Sequence, residues 1–438
     1  MKGRAWTYVS TFVAATTILA LGAVYGVLVA RLLGPIARGK LAVLIYFPTL
    51  IGCFGPMGVP QALTYILSRS PGAAAEYVTA GIRIALGLSM ISCCCFFLLS
   101  PFLLSGSNQG LASAVKWVCI GAPAMVMNPH FYAIQRGLGQ FGRVNAFMVT
   151  SAVGNLLSLG VLWLSGYVSP LSLVSALLLV QTIVALANLG ALRELMWMGT
   201  VRPGVYWLCL KQGFYFLPPV MAFLAFTTAD RAVLIRTTTL EEIGYYTVAM
   251  ALASPLISVA LELFGNVVFV EVAKQTGAHS TADLVVRRFH LAQIILVSGA
   301  LVVSLLAGPL VYLMFGVKFA SAIPVVRLLA WAMCARGLSV GLDHFLRAKN
   351  CPWPGTAANS VGLAALVCSA WFWSRGAFSF ALLQLSAELA VLTVMIILST
   401  RFFGTRASHW WGLKPSGVRV LRQSVVAVWR AQHRAKVA

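Results

Sequence analysis

Residues 7–30 read TYVSTFVAATTILALGAVYGVLVA, a run without one charged side chain. The hydrocarbon core of a bilayer is about 30 Å thick and takes roughly 20 apolar helical residues to cross, so this stretch is long enough to span. Working outward, comparable stretches lie near 41–63, 78–99, 114–135, 144–166, 171–192, 214–235, 243–264, 290–314, 322–346, 355–374 and 377–400. The whole chain of 438 residues is 60% hydrophobic and only 10% charged, which excludes an ordinary soluble globular domain. The fold class this predicts is an all-α polytopic membrane protein with about 12 transmembrane helices. The opening MKGR before an apolar run also fits a secretory signal, but the run exceeds a signal core and lacks a convincing cleavage site, so a retained first helix is expected.

Basic residues mark alternate connections. With the amino terminus inside, the inner segments hold Lys2, Arg4, Arg69, Arg136, Arg143, Arg193, Arg202, Lys211, Lys274, Arg287, Arg288, Arg347, Lys349 and the tail from Arg401, and the outer ones hold fewer. The positive-inside rule then puts both termini in the cytoplasm. Nine cysteines, three of them consecutive at Cys93, Cys94 and Cys95, lie almost entirely within spans and read as small packing residues. No metal ligand set and no cofactor are expected from them.

Several features recur at a nearly constant offset of 205 to 208 residues: Arg31 with Arg236, Gly39 with Gly244, Pro48 with Pro255, Arg83 with Arg288 and Pro101 with Pro309. This predicts two six-helix lobes, 1–192 and 214–400, around a central cavity. Six spans per lobe is an even number, so both enter the membrane in the same direction, as in transporters built from parallel repeats. The basic stretch 193–213 is the expected cytoplasmic linker, and 401–438 a basic cytoplasmic tail. In that tail Val418, Leu421, Val425 and Val428 share a helical face, and Arg419, Arg422, Arg430, Arg434 and Lys436 supply charge. An amphipathic helix on anionic inner-leaflet lipids is expected there, rather than a nucleic-acid contact.

Charge at the bilayer centre costs about 2.5–3.5 kcal/mol on insertion scales, so depth selects candidates. Arg336 and Glu388 lie near the middle of their spans. Two readings follow from the residues: an ion pair of Arg336 with Glu388 or Asp343 that joins helices, or a cationic cavity for an anionic ligand. In the second, Arg336 is the primary anion-binding candidate, with Arg83 and Lys116 as helpers, because the guanidinium fork donates two hydrogen bonds to a phosphate. Trp117, Tyr132, Trp163, Tyr215 and Trp331 could stack on sugar rings or serve as interfacial aromatics.

VARLLGPIARGKLAVLIY at 29–46 resembles the stretch after the first helix in polysaccharide and O-antigen flippases, with Lys40-Leu41 replacing the usual aromatic step. ADRAVLIRTTTLEEIGYYTVAM at 229–250 resembles the second-half element of that family. QRGLGQFGR at 135–143 and LMFGVKFASAIPVVRLLAW at 313–331 are similar to its turn after helix 4 and its helix 9 to 10 connection. The resemblance points to the multidrug/oligosaccharidyl-lipid/polysaccharide exporter superfamily and carries over Arg31, Asp230 and Arg231 by position, with Arg31 joining Arg336, Arg83 and Lys116 as a candidate for the anionic head group. It implies a lipid-linked oligosaccharide as substrate, flipped across the bacterial inner (plasma) membrane, with polysaccharide polymerase and export proteins as partners. Glu388, Asp343, Asp230 and Arg231 are then candidates for ion coupling or helix pairing. His130 and His344 offer a further proton or sodium site but read more simply as structurally satisfied.

Two rivals come from other classes. A multidrug/organic-cation antiporter would favour more intramembrane carboxylates than are present. A polymerase, ligase or glycosyltransferase needs a polar catalytic domain or long loop, and the longest connections, 193–213 and 265–289, show no nucleophile–base cluster. No P-loop is present either, so the expectation is a transporter and not an enzyme.

Overall fold

The computed structural model describes residues 2–69, 71–104, 106–197, 201–261, 278–349, 351, 353–373, 376–406 and 410. In chain order the helices are α1 (Lys2–Phe54), α2 (Val59–Arg69), α3 (Ala74–Leu103), α4 (Ala112–Ile120), α5 (Pro123–Gly137), α6 (Phe141–Leu164), α7 (Pro170–Ala191) and α8 (Arg193–Trp197). They continue with α9 (Pro203–Thr237), α10 (Leu240–Ala253), α11 (Pro255–Leu261), α12 (Ala278–Leu305), α13 (Ala307–Met314), α14 (Ala322–Ala348), α15 (Trp353–Trp373) and α16 (Ala377–Phe403). Among the described residues there is no strand. Nine of the described helical stretches are long and apolar enough to cross a membrane, and the chain is a multi-pass membrane protein. Each predicted span falls mainly on helix; the one at 243–264 follows α10 and α11 to Leu261, and its last residues, like the last residue of 355–374, lie outside the described part. The tail helix expected after Pro415 also lies outside the described residues.

The sequence reading left a connection of ten residues between the first two spans. The structure contracts it to a corner at Gly34, where φ is 71° and ψ 179°. Glycine has no Cβ to oppose a positive φ, and Pro35 begins the next helical segment with φ already set and no N–H to satisfy. Helix therefore continues on both sides, through residues expected to be loop. Other spans expected to be continuous are interrupted instead: 41–63 at residues 55–58, 114–135 before Pro123, 243–264 before Pro255 and 290–314 at Leu306. Pro123 and Pro255 each stand at the first position of the helix after the break, where a missing N–H costs nothing.

The chain divides into two compact units, Met1–Val248 with Tyr312–Phe319, and Ala249–Val311 with Ala320–Ala438. The helices α9 and most of α10 thus pack within the first unit. There the segment after Gly34 and the start of α10 cross at backbone contact. A Cβ on Gly39 would overlap the Leu240 carbonyl, and a Cβ on Gly244 would overlap the Pro35 carbonyl. Pro35 to Leu240 and Gly39 to Gly244 are both 205 residues apart, so the contact is reciprocal at the offset of the sequence repeat.

Also in the first unit, α5 and α7 carry two amide pairs spaced by seven residues, which is close to two helical turns and keeps both on one face. Asn128 Nδ2 donates to Gln181 Oε1 at 3.0 Å, Gln181 Nε2 to Ser151 Oγ on α6 at 2.8 Å, and Gln135 Nε2 to Asn188 Oδ1 at 2.8 Å. Such bonds between membrane helices contribute on average about 0.6 kcal/mol each. They fix which faces of α5 and α7 meet, since neither amide can turn to lipid without losing its partner.

In the second unit α14 is the central helix, packed against α11, α12 and α16, with α15 against α16. It is the most enclosed of the candidate spans, which makes any charge it carries a buried one.

The crossing yields a paired test. Gly39→Ala places a methyl group in a backbone carbonyl and should cost about 1–3 kcal/mol of stability, the range for overpacking. Gly22→Ala, where a Cβ meets open space, should leave stability unchanged or slightly higher. Melting of both variants in one detergent, followed by tryptophan fluorescence, checks the contrast.

Candidate functional site

The polar residues of the second-half motif assemble in the first unit. Asp230, near the end of α9, is 1% exposed. Its Oδ1 accepts the Arg231 N–H at 2.7 Å and its Oδ2 accepts the Tyr246 hydroxyl at 3.1 Å. Alongside, the Tyr46 hydroxyl donates to the Thr228 carbonyl at 3.1 Å, which ties the second part of α1 to α9. Arg38, on that same part of α1, lies within electrostatic reach of Arg231 and of Tyr25. Arg231 in turn reaches Tyr46 and Cys53. The Arg38 Nε is enclosed and meets no hydrogen-bond acceptor among the described residues, whereas the Arg231 side chain is exposed.

Two guanidiniums close together repel each other, and more strongly where water is scarce. Asp230 offsets one positive charge and leaves the cluster with an excess of one. A fork-shaped donor with an unused N–H beside a second cation is suited to an anion with several oxygens, and a phosphate is the common biological case. Sequence reasoning found Asp230 and Arg231 through the resemblance and missed Arg38, Tyr25, Tyr46 and Tyr246. Arg38 falls in the connection expected between the first two spans, and only the corner at Gly34 returns it to helix.

The other candidates lie elsewhere. Arg31 Nε donates to the Met314 carbonyl at 2.8 Å, and its Nη2 donates to the Leu313 carbonyl. It therefore caps the carbonyl end of α13, where a cation is favourable. A matching bond runs from Asn108 Nδ2 to the Ile235 carbonyl, at 2.6 Å, near the end of α9. Arg83 Nη1 on α3 donates to the Tyr206 hydroxyl on α9 at 2.8 Å. Lys116 on α4 stands 5.4 Å from the centre of the Phe97 ring.

In the second unit Arg336 of α14 forms an ion pair with Glu388 of α16, and Gln384 Nε2 donates to Glu388 Oε1 at 2.9 Å. All three side chains are buried. Asp343 is engaged by Arg347 one turn along α14, at 2.7 Å, so of the two partners the sequence allowed for Arg336 the structure selects Glu388. His130 is buried on α5 with Nδ1 2.8 Å from the Val126 carbonyl of its own helix.

The architecture is that of helical membrane transporters. Among solved structures, a lipid II flippase, MurJ, in an inward closed conformation superposes with a TM-score of 0.73 at 12% identity, covering 96% of this chain and 92% of that one. An outward-facing multidrug resistance MATE family transporter of the MOP superfamily gives 0.64 at 14%, covering 90% and 94%. A MOP superfamily transporter from Pyrococcus furiosus gives 0.63 at 14%, covering 92% and 96%. At these identities the likeness is one of fold. No protein-family model matches the sequence, and no curated protein matches it.

The buried pair predicts an asymmetry between single and double substitutions. Arg336→Met or Glu388→Leu alone leaves an uncompensated charge and should cost about 3–5 kcal/mol, whereas the double variant should recover most of that loss. A double-mutant cycle on melting in detergent measures it; additive losses would show that the pair does not hold α14 to α16.

Proposed function

We propose that this chain is a flippase that carries a polyprenyl-diphosphate-linked oligosaccharide from the cytoplasmic to the outer face of a bacterial inner membrane by alternating access. The observation that carries the reading is the Arg38 and Arg231 cluster, with one guanidinium N–H enclosed and unused. The chain's fold-level likeness to the lipid II flippase MurJ supports the same substrate class. The sequence resemblance to polysaccharide and O-antigen flippases supports a glycan head group.

In this proposal the prenyl tail stays in lipid and the protein shelters only the glycan-diphosphate head. Arg38 and Arg231 take phosphate oxygens, and Asp230 holds Arg231 in place through the backbone bond. Arg83 and Lys116 are secondary cationic contacts along the route, and Arg31 steadies the end of α13. The pairing with Glu388 favours a helix-joining role for Arg336 over direct head-group contact. The two six-helix lobes, 1–192 and 214–400, joined through 193–213, are the moving parts of the proposed cycle. With an inside-negative potential, outward movement of the head is favoured by about 2.3 kcal/mol per negative charge per 100 mV, provided the protein's cations stay behind. Asp230, with Glu388 and Asp343, supplies the carboxylates for any coupling to protons or sodium.

The test is translocation in proteoliposomes, read with a side-specific glycan probe. Arg38→Ala and Arg231→Ala should each slow head-group translocation about tenfold to a hundredfold, since a hydrogen bond to a charged group contributes about 1.5–3 kcal/mol. Both should melt like the native protein, and Arg38→Lys should recover only part of the rate. Native rates in both variants would remove the cluster from the site. Export of organic cations by the native chain, with no flipping of several glycans, would assign it to the multidrug antiporters instead.

A further inference from the structure

Four contacts join the first half of the chain to the second at one place, and all lie within the first unit. Arg31, near the end of the first part of α1, donates to the Leu313 and Met314 carbonyls, the latter at 2.8 Å. Asn108, in the 3-10 turn Gly106–Leu111, donates to the Ile235 carbonyl near the end of α9 at 2.6 Å. Between these run the two backbone contacts, Gly39 on Leu240 and Gly244 on Pro35. Pro35 is four residues from Arg31 and Leu240 five from Ile235, so the crossing links the two fasteners through a short length of backbone. On the second-half side Phe319 is buried with its ring edge-on to Tyr245 at 6.3 Å, which keeps 312–319 beside the start of α10.

The arrangement is reciprocal. The end of α1 grips residues 313–314 of the second half, and residue 108 of the first half grips the end of α9. Residues 106–111 and 312–317 are 206 apart, inside the offset that relates the halves. The 35 residues of α9 make a helix about 52 Å long, enough to put this end across the membrane from the linker. The contacts are also of a kind that can release. Arg31 is exposed, so water competes for its bonds. The Asn108 Oδ1 is enclosed and meets no donor among the described residues, a cost that opening to water relieves. At the glycines backbone lies on backbone, with no side chain to withdraw.

We propose that Arg31 and Asn108 are the paired fasteners of a single gate, which closes this face between the two halves and lets go at both places as one. The inference rests on the alternating-access reading above: a head group leaves on this face only when elements of the two halves part there. With the linker in the cytoplasm, as the charge pattern predicts, this is the outer gate.

Backbone hydrogen exchange, read by mass spectrometry on the full chain in lipid nanodiscs, tests the gate without any substrate. Arg31→Ala should speed exchange about tenfold at 312–319 and equally at 233–240, whose fastener is Asn108. Asn108→Ala should do the same at both segments, while α5 and α7 exchange as in the native protein. Effects confined to the segment that each side chain holds would overturn the gate and leave two separate helix caps. Should either variant exchange faster throughout, a bridged form decides: Arg31→Cys/Met314→Cys joined by a short, reducible bifunctional thiol reagent, with reagent-treated native protein beside it. The bridge should slow exchange at 233–240 below the native rate, and reduction should restore it; an unchanged rate there would overturn the proposal. Bridging should also stop transport of whichever substrate the native chain carries, and undiminished transport would equally overturn the gate. Failure of the native chain to flip any glycan counts against the proposed substrate, and the exchange result still decides the gate.

Discussion

Hydrocarbon offers no hydrogen-bond partner, and nearly every feature of this protein answers to that constraint. Backbone groups in lipid must be satisfied within the segment, so the spans are helices. Where a proline interrupts them, as at Pro123 and Pro255, a new helix begins at once and leaves little unpaired backbone. Side chains follow the same logic. Asn128, Gln135, Gln181 and Asn188 bond across α5 and α7, and Gln384, Glu388 and Arg336 bond across α14 and α16. These contacts contribute little net energy but are costly to leave unmade, so they select which helix faces meet.

The same constraint gives meaning to the cluster at Arg38 and Arg231. In the second unit a buried guanidinium is matched by a carboxylate. In the first unit Arg38 and Arg231 lie within electrostatic reach of each other, and the oxygens of Asp230 are taken by the Arg231 backbone N–H and the Tyr246 hydroxyl. The difference separates a pair that joins helices from a group of charges that calls for an anion from outside. Backbone contact at Gly39 and Gly244 makes this arrangement available, because Arg38 neighbours the crossing and is carried to α9 with it. Larger residues at the two glycines would hold the segments apart.

The glycine crossing also shows how far a sequence repeat can be read. An offset of 205 residues related Gly39 to Gly244 without indicating that the two segments touch. In space each presses on the other's counterpart, Gly39 on Leu240 and Gly244 on Pro35. Arg31 and Asn108, which donate to carbonyls at the ends of α13 and α9, repeat the pattern with different side chains. Equivalent places in the halves thus do similar work through residues that do not match in sequence.

By itself the sequence determined the class of the protein, because the length and apolarity of a span are local properties that need no knowledge of neighbours. It also determined that Arg336 and Glu388 had to be answered by something, since burial of a charge at mid-span follows from position in the run. It could not choose between Glu388 and Asp343 as the partner, because both were compatible with the turn of a helix and only the packing of α14 against α16 decides. Nor could it recognise Arg38, whose surroundings depend on a corner at Gly34 and a crossing between residues 205 apart. Depth along one helix is written in the sequence, but which side chains share a space is settled only when the helices pack.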